Sequence, residues 1–173
     1  MSDAPEFSRP VRLARIGTEP YRQRISASKE ERAALARRFD LMSLDRLEAS
    51  VELIPYRERT ILLRADFEAV FEQRCIVTLD PISGTLAERF ELLYGHPEVE
   101  GSADSLVGED VAFEPLAGDV IDIGEAVAQE FSLALPAFPR RPDSRVETAP
   151  DPAVASNPFA GLARLVDRED RER

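Results

Sequence analysis

The sequence predicts an α+β fold: a curved antiparallel β-sheet or partly closed barrel with two packing helices, then a Pro-rich linker and a short C-terminal helix. Three observations predict it. Successive stretches between Leu47 and Tyr94 alternate apolar with polar residues, the period of half-buried strands. Two segments with helical apolar spacing, starting behind Ser28 and Asp122, carry good N-terminal caps. Beyond Pro136 the composition shifts to Pro, Ala, Arg and Asp with no apolar pattern.

The elements follow in order. Phe7 to Ile16 is expected to be extended, with Pro10 suiting an edge or a strand start. Tyr21 to Ile25 is a second short strand. Ser28-Lys-Glu-Glu31 spells a capping box, and Ala34, Leu35, Phe39 and Met42 form a stripe behind it, predicting a helix from Lys29 to Phe39. Leu47, Ala49, Val51 and Leu53 alternate with Glu48, Ser50 and Glu52. Pro55 to Arg59 is polar and turn-like. Ile61 to Phe71 alternates over the longest stretch and is expected to run on towards Val77. After Asp80-Pro81, the even positions Ile82, Leu86, Phe90, Leu92 and Tyr94 are apolar. Three such strands with short connections imply an antiparallel sheet with one wet face.

His96 to Asp110 is rich in Gly, Ser, Pro and acid, the composition of a mobile acidic loop, and Val111 with Phe113 suggests one more short strand. Asp122 with Glu125 starts the second helix, whose apolar face holds Ile123, Ala126, Val127, Phe131, Ala134 and Leu135 before Pro136 stops it. The expected organisation is a domain over 5–136, a flexible linker over 137–156 and a separate segment over 157–173. In the last, Asn157 caps a helix that opens with Pro158, and Phe159, Leu162 and Val166 share one face.

Length and charge narrow the function. The 173 residues hold one domain and a tail. No apolar run approaches the roughly 18 to 20 residues that cross a bilayer, and Met1 to Glu19 lacks the apolar core of a secretory signal, so the expected location is the cytoplasm. The net charge is −11 and unevenly spread. Met1 to Arg46 holds ten Lys/Arg against seven Asp/Glu, whereas Asp80 to Glu130 holds thirteen acids against the single Arg89. Such a surface repels phosphate backbones and attracts basic proteins.

The chemistry of catalysis is thin. Cys75 and His96 are the only cysteine and histidine, too few for a zinc cage within one chain. Gly84, Gly95, Gly101, Gly108, Gly118 and Gly124 form no phosphate-binding pattern. Asp119, Asp122 and Glu125 could gather a metal for hydrolysis, but helix capping accounts for two of the three. Cys75 reads as a buried thiol packing as a small hydrophobe, with a reactive thiol aided by Arg74 as the competing reading. No enzyme, cofactor, metal or small-molecule substrate is expected. A candidate basic patch consists of Arg32, Arg37 and Arg38, joined by Arg9, Arg12, Arg15, Arg22 and Arg24. It competes with a solvated helix face whose arginine stems cover apolar surface.

Three segments together resemble the YceD-like family of bacterial and chloroplast large ribosomal RNA subunit accumulation proteins. Gln73-Arg74-Cys75-Ile76-Val77-Thr78-Leu79-Asp80-Pro81 resembles the family's central cysteine motif. Gly118 to Glu125, with Asp122 and Glu125 at the helix start, followed by Leu133-Ala-Leu-Pro136, resembles its acidic helix and Leu-Ala-Leu-Pro finish. Asn157-Pro158-Phe159-Ala160 with Leu162 resembles its C-terminal signature, and Phe7-Ser-Arg-Pro-Val11 is similar to the alphaproteobacterial branch. Many members carry C-x-x-C centrally, some with a second pair. Here Glu72 stands at the first cysteine position, which counts against a metal role in this chain.

The resemblance implies a role in synthesis, processing or stability of large-subunit ribosomal RNA, without enzymatic activity. The expected mode is binding of a basic ribosomal protein or other assembly component by the acidic region. A second contact would come from Asn157, Pro158, Phe159 and Leu162. Direct binding of precursor ribosomal RNA through Arg32, Arg37 and Arg38 is the alternative.

Overall fold

A computed structural model describes residues 5–57, 60–96, 111–116 and 118–145. The chain divides into two units, Met1–Arg141 and Pro142–Arg173, and every element below belongs to the first. The expected helix over 157–173, residues 97–110 of the acidic loop and most of the linker lie outside the described residues.

Alternation builds the sheet. Strands β2 (Tyr21–Ser26), β3 (Ser43–Pro55), β4 (Ile61–Arg74), β5 (Pro81–Gly95) and β6 (Ala112–Pro115) lie in that order. A separate two-stranded sheet joins β1 (Pro10–Arg12) to β7 (Val120–Asp122). Helix α1 spans Lys29–Arg38 and α2 spans Ile123–Ala134. Directly opposed pairs put one face inside: Leu47 against Ala69, Ala49 against Phe67, Val51 against Ala65 and Leu53 against Leu63, all buried. Small residues beside Phe67 and Phe71 leave room for Phe131 of α2. Its ring meets Phe67, Phe71 and Phe39 edge-on at centroid distances of 6.3, 5.7 and 5.9 Å.

The helices begin as the sequence says. The Ser28 hydroxyl accepts the Glu31 amide at 3.2 Å, and the Ser28 amide donates to the Glu31 carboxylate at 2.7 Å. At the other end of α1, Asp40 takes a left-handed φ of 53° and the Leu41 amide reaches back to the Ala36 carbonyl at 2.9 Å, a Schellman-type ending. Leu35 and Ala36 are the buried residues of α1, and Met42 is exposed rather than part of its apolar stripe.

Five expectations need correction. The sheet is mixed, because β5 and β6 pair in parallel. Such a pair needs a connection of a dozen or more residues, and the stretch from His96 to Val111 is long enough to provide it. The described strands form an open sheet with β2 and β6 at its edges, not a barrel. Strand β4 ends at Arg74 instead of approaching Val77. There the Cys75 amide donates to Asp80 O at 2.8 Å, the Leu79 amide donates to Cys75 O at 2.9 Å, and Leu79 sits at φ 65°. The Phe7 to Ile16 segment is extended only over Pro10–Arg12 and then turns through a 3-10 helix, Leu13–Arg15. The outer face is also not wet throughout. Ile54, Leu62, Leu93 and Phe113 line up across four strands as a second small apolar cluster. No helix among the described residues is long and apolar enough to cross a membrane.

Candidate interaction surfaces

Where α2 begins, carboxylates hold the domain together. Asp122 accepts the Gly124 and Glu125 amides as a cap, at 3.1 and 3.2 Å. The same carboxylate takes the Ser8 hydroxyl at 2.5 Å and the Arg9 amide at 2.7 Å. It therefore ties the N-terminal segment to the helix, and little of its hydrogen-bonding capacity remains for a metal. Gly124 is required here, because a Cβ would run into the Phe7 carbonyl oxygen. Arg9 makes a forked pair with Glu31 at 2.6 and 2.9 Å, joining the same segment to the cap of α1. That hydrogen bond holds the Glu31 carboxyl below its ordinary value. Arg38 forks onto Glu125 at 2.7 and 2.9 Å and also reaches Glu6 at 2.9 Å, and these carboxylates raise its pKa. Two of the three carboxylates in the hydrolase reading, Asp122 and Glu125, are therefore committed to capping and to Arg38. No group of three metal-ligating side chains occurs among the described residues.

The arginine patch is divided by the fold. Arg38 is spent on Glu125 and Glu6, whereas Arg32 donates to the Ala27 carbonyl at 2.7 Å. Arg32 and Arg37 line an open groove of about 430 Å³ with Lys29, Met42 and Asp45. Lys29 and Arg37 have no ion-pair partner among the described residues. Arg22 and Arg24 are on the outer face of the sheet, where register puts Arg22, Glu52, Arg64 and Glu91 in one row across four strands. Arg22 meets Glu52 and Arg64 meets Glu91, each at 2.5 Å. Arg24 pairs with Glu48 at 3.0 Å, Arg46 with Glu68 at 3.0 Å and Arg89 with Asp66 at 2.6 Å. Individually such exposed pairs are worth about 0 to 1 kcal/mol, but together they cancel most cationic charge on this face.

The opposite end of α2 is different. The Leu133 to Pro136 finish and the Gln73 to Pro81 turn converge on an open groove of about 510 Å³ lined by Phe39, Gln73, Arg74, Ile76, Leu133 and Pro136 among others. Gln73 donates to Pro136 O at 3.3 Å, and the Ile76 amide donates to Pro139 O at 3.0 Å. Around it the large apolar side chains are out in solvent: Leu133 is 77% exposed, Phe138 78% and Leu79 65%. Grouped exposed apolar residues of this kind mark interaction surfaces. Neither this groove nor the charge ladder could be read from the sequence. The two apolar residues flanking Val77 and Thr78 inside a turn were the available signal for the groove.

Cys75 is fully shielded from solvent at the base of that turn. Its sulfur accepts hydrogen bonds from Thr78, whose amide lies 3.4 Å away, and these lower the thiol pKa to about 6. The burial matches the preferred reading of Cys75, and the group acting on its thiol is Thr78 rather than the Arg74 of the competing reading. Pro81 opens β5 opposite Arg74. Asn157, Pro158, Phe159 and Leu162 lie outside the described residues.

Fold and surfaces define a small α+β domain with two helices on one face of a mixed sheet, a closed polar junction at one end and an open apolar groove at the other. A family model described as large ribosomal RNA subunit accumulation protein YceD matches residues 63–165, more than half of the chain. This protein belongs to the YceD family. The matched range includes the cysteine turn, the capped start of α2, its Leu-Ala-Leu-Pro finish and the Asn157-Pro-Phe-Ala segment; the Phe7 to Val11 opening precedes it. No curated protein and no solved structure matches the chain.

Proposed function

We propose that this protein supports accumulation of large-subunit ribosomal RNA by binding a basic component of the assembling subunit, without a catalytic step of its own. Family membership supplies the large-subunit role. One structural observation carries the mode of action: the fold consumes its own cations. Arg9, Arg22, Arg24, Arg38, Arg46, Arg64 and Arg89 all sit in ion pairs with carboxylates, so the acidic excess of the chain is left for others. A surface of that sign favours ribosomal proteins over naked RNA. The segment at Asn157, Pro158, Phe159 and Leu162 supplies a second, tethered contact, which raises avidity by about a hundredfold or more when geometry permits.

In-cell crosslinking followed by identification of both protein and RNA partners tests the reading. Recovery of basic large-subunit proteins, with reduced recovery after removal of residues 157–173, is the expected result. Recovery of RNA alone would overturn it. Direct RNA binding is favoured by one observation, that Lys29 and Arg37, beside Arg32 in the α1 groove, form no ion pair among the described residues. That reading requires affinity that falls steeply with salt and is lost when Arg32, Arg37 and Arg38 become Glu.

A further inference from the structure

The two edges of the five-stranded sheet are guarded unequally. On one side β2 is short and projects the exposed Arg22 and Arg24, the usual protection of an edge against other strands. On the other side β6 pairs only with Leu92 to Gly95 of β5. From Pro81 to Glu91 the far side of β5 has no strand partner among the described residues, and Ala87, Glu88 and Arg89 are consecutively exposed. A long open edge is a template for another chain, and main-chain hydrogen bonding along it supplies affinity without requiring a deep pocket.

Side chains on that edge are specific about what fits. Directly opposed residues share a face, so the register of β5 on β4 places Gly84, Leu86, Glu88 and Phe90 on the core side, opposite the buried Phe71, Ala69, Phe67 and Ala65. Leu86 and Phe90 are half-buried there, and Phe90 packs against Phe67 at 6.2 Å. Between them stands Glu88, a carboxylate pointing to the apolar side with no ion-pair partner among the described residues. An apolar strand laid on this edge would cover Leu86 and Phe90 but desolvate Glu88 without compensation. A second copy fares no better. The core side of β5 carries no cation and Arg89 lies on the other face, so no symmetric antiparallel register puts a positive charge opposite Glu88. In the register aligning Leu86 with Phe90 of the second copy, the two Glu88 residues oppose each other.

We propose that the outer edge of β5, from Ile82 to Phe90, takes up an extended basic segment of a partner protein as an added strand. A Lys or Arg of that segment sits opposite Glu88, and apolar residues two positions to either side cover Leu86 and Phe90. Glu88 acts as the filter: it rejects apolar strands and self-pairing, and it accepts the cationic strand. The basic character of the partner rests on the reading above, while the strand-addition mode rests on the edge itself.

The test uses the full chain and an acetylated, amidated peptide, Lys-Val-Thr-Lys-Thr-Val-Lys, whose symmetry allows it to pair in either direction. Titration followed by backbone amide NMR should shift residues 82–90 saturably. Replacing alternate peptide amides with N-methyl groups keeps charge and side chains but removes ladder donors, and should weaken binding at least tenfold. Glu88→Lys should weaken the peptide about tenfold and reverse the preference in favour of a peptide with Glu at its centre; Glu88→Gln should fall between. Equal binding of the N-methylated peptide, shifts confined to other surfaces, indifference to Glu88→Lys, or a dimer abolished by Glu88→Lys in sedimentation would each overturn the proposal. If the peptide fails while crosslinking still recovers basic large-subunit proteins, the edge assignment falls and the functional reading stands. A peptide that binds while crosslinking recovers none separates them the other way.

Discussion

The two ends of α2 have opposite chemistry. At its start the acidic side chains of the cap are committed: Asp122 accepts four hydrogen bonds, Glu125 is forked by Arg38, and Gly124 lies against the Phe7 carbonyl. At its finish Leu133 and Phe138 stand in solvent around an open groove, and the helix closes on Leu135 in an extended conformation before Pro136. Contacts of high sequence separation concentrate at the first end, so substitutions there should be read in stability. At the second end, beyond Phe131, the exposed Leu133 and Phe138 have little burial to lose.

The comparison can be broken most directly along the helix itself. Phe131, in the last third of the helix, faces three aromatic rings, and Phe131→Ala should cost about 3–5 kcal/mol in urea unfolding through the cavity it leaves. A loss below about 1 kcal/mol would show that α2 is not seated on the sheet. Asp122→Ala comes next. It removes the cap of α2 together with the anchor of Ser8 and Arg9, for an expected loss of about 2–3 kcal/mol. Asp122→Asn should recover part of this, since an amide oxygen still caps. Ser28→Ala, which removes only a cap, should cost about 1 kcal/mol.

Acid and base sharpen the same contrast. Glu31 has a folded-state pKa below its ordinary value, chiefly because Arg9 hydrogen-bonds its carboxylate. Its contribution is therefore fully present above the unfolded value of about 4.5 and is lost as pH falls through the folded one. Glu31→Gln should flatten the acid limb of a stability–pH profile. Cys75 works in a higher window. With its folded value near 6 and its ordinary value near 9.0, the thiolate favours the folded state above pH 9, and that contribution declines as pH falls towards 6. Wild type should gain stability between pH 6 and 9 relative to Cys75→Ser, and thiolate absorbance should titrate near 6. A titration near 9 would remove Thr78 from its assigned role.

Much of this could be read from residue order because the signals are local. Alternation in Leu47 to Leu53 and Ile61 to Phe71 placed the central strands, and Ser28 with Glu31 and Asp122 with Glu125 fixed both helix starts. The misses have non-local causes. Whether β6 runs parallel to β5 depends on how a long connection returns, which no local pattern encodes. Val77 continues the apolar rhythm of β4, yet the chain has already turned at Cys75, held by backbone bonds and the left-handed Leu79. Arg38 looked like a free helix-face cation because its partner Glu125 lies 87 residues away. The apolar groove arises only when the β4–β5 turn and the end of α2 are brought together.

The smallest expected effect is the most discriminating one. Leu133→Ser and Phe138→Ser exchange large exposed apolar groups for a small polar one at the open end of α2. Neither side chain is in the buried core, so each should change unfolding free energy by no more than about 0.5 kcal/mol, the usual range for a surface site. A hydrophobic-dye assay should register the change that stability does not, with lower fluorescence in the double variant as exposed apolar surface is removed. If instead either substitution costs more than about 1 kcal/mol, these side chains are covered in solution and the open end is part of the folded core. If neither stability nor dye fluorescence moves, the groove is too hydrated to act as an apolar surface, and the contrast between the two ends of α2 reduces to charge.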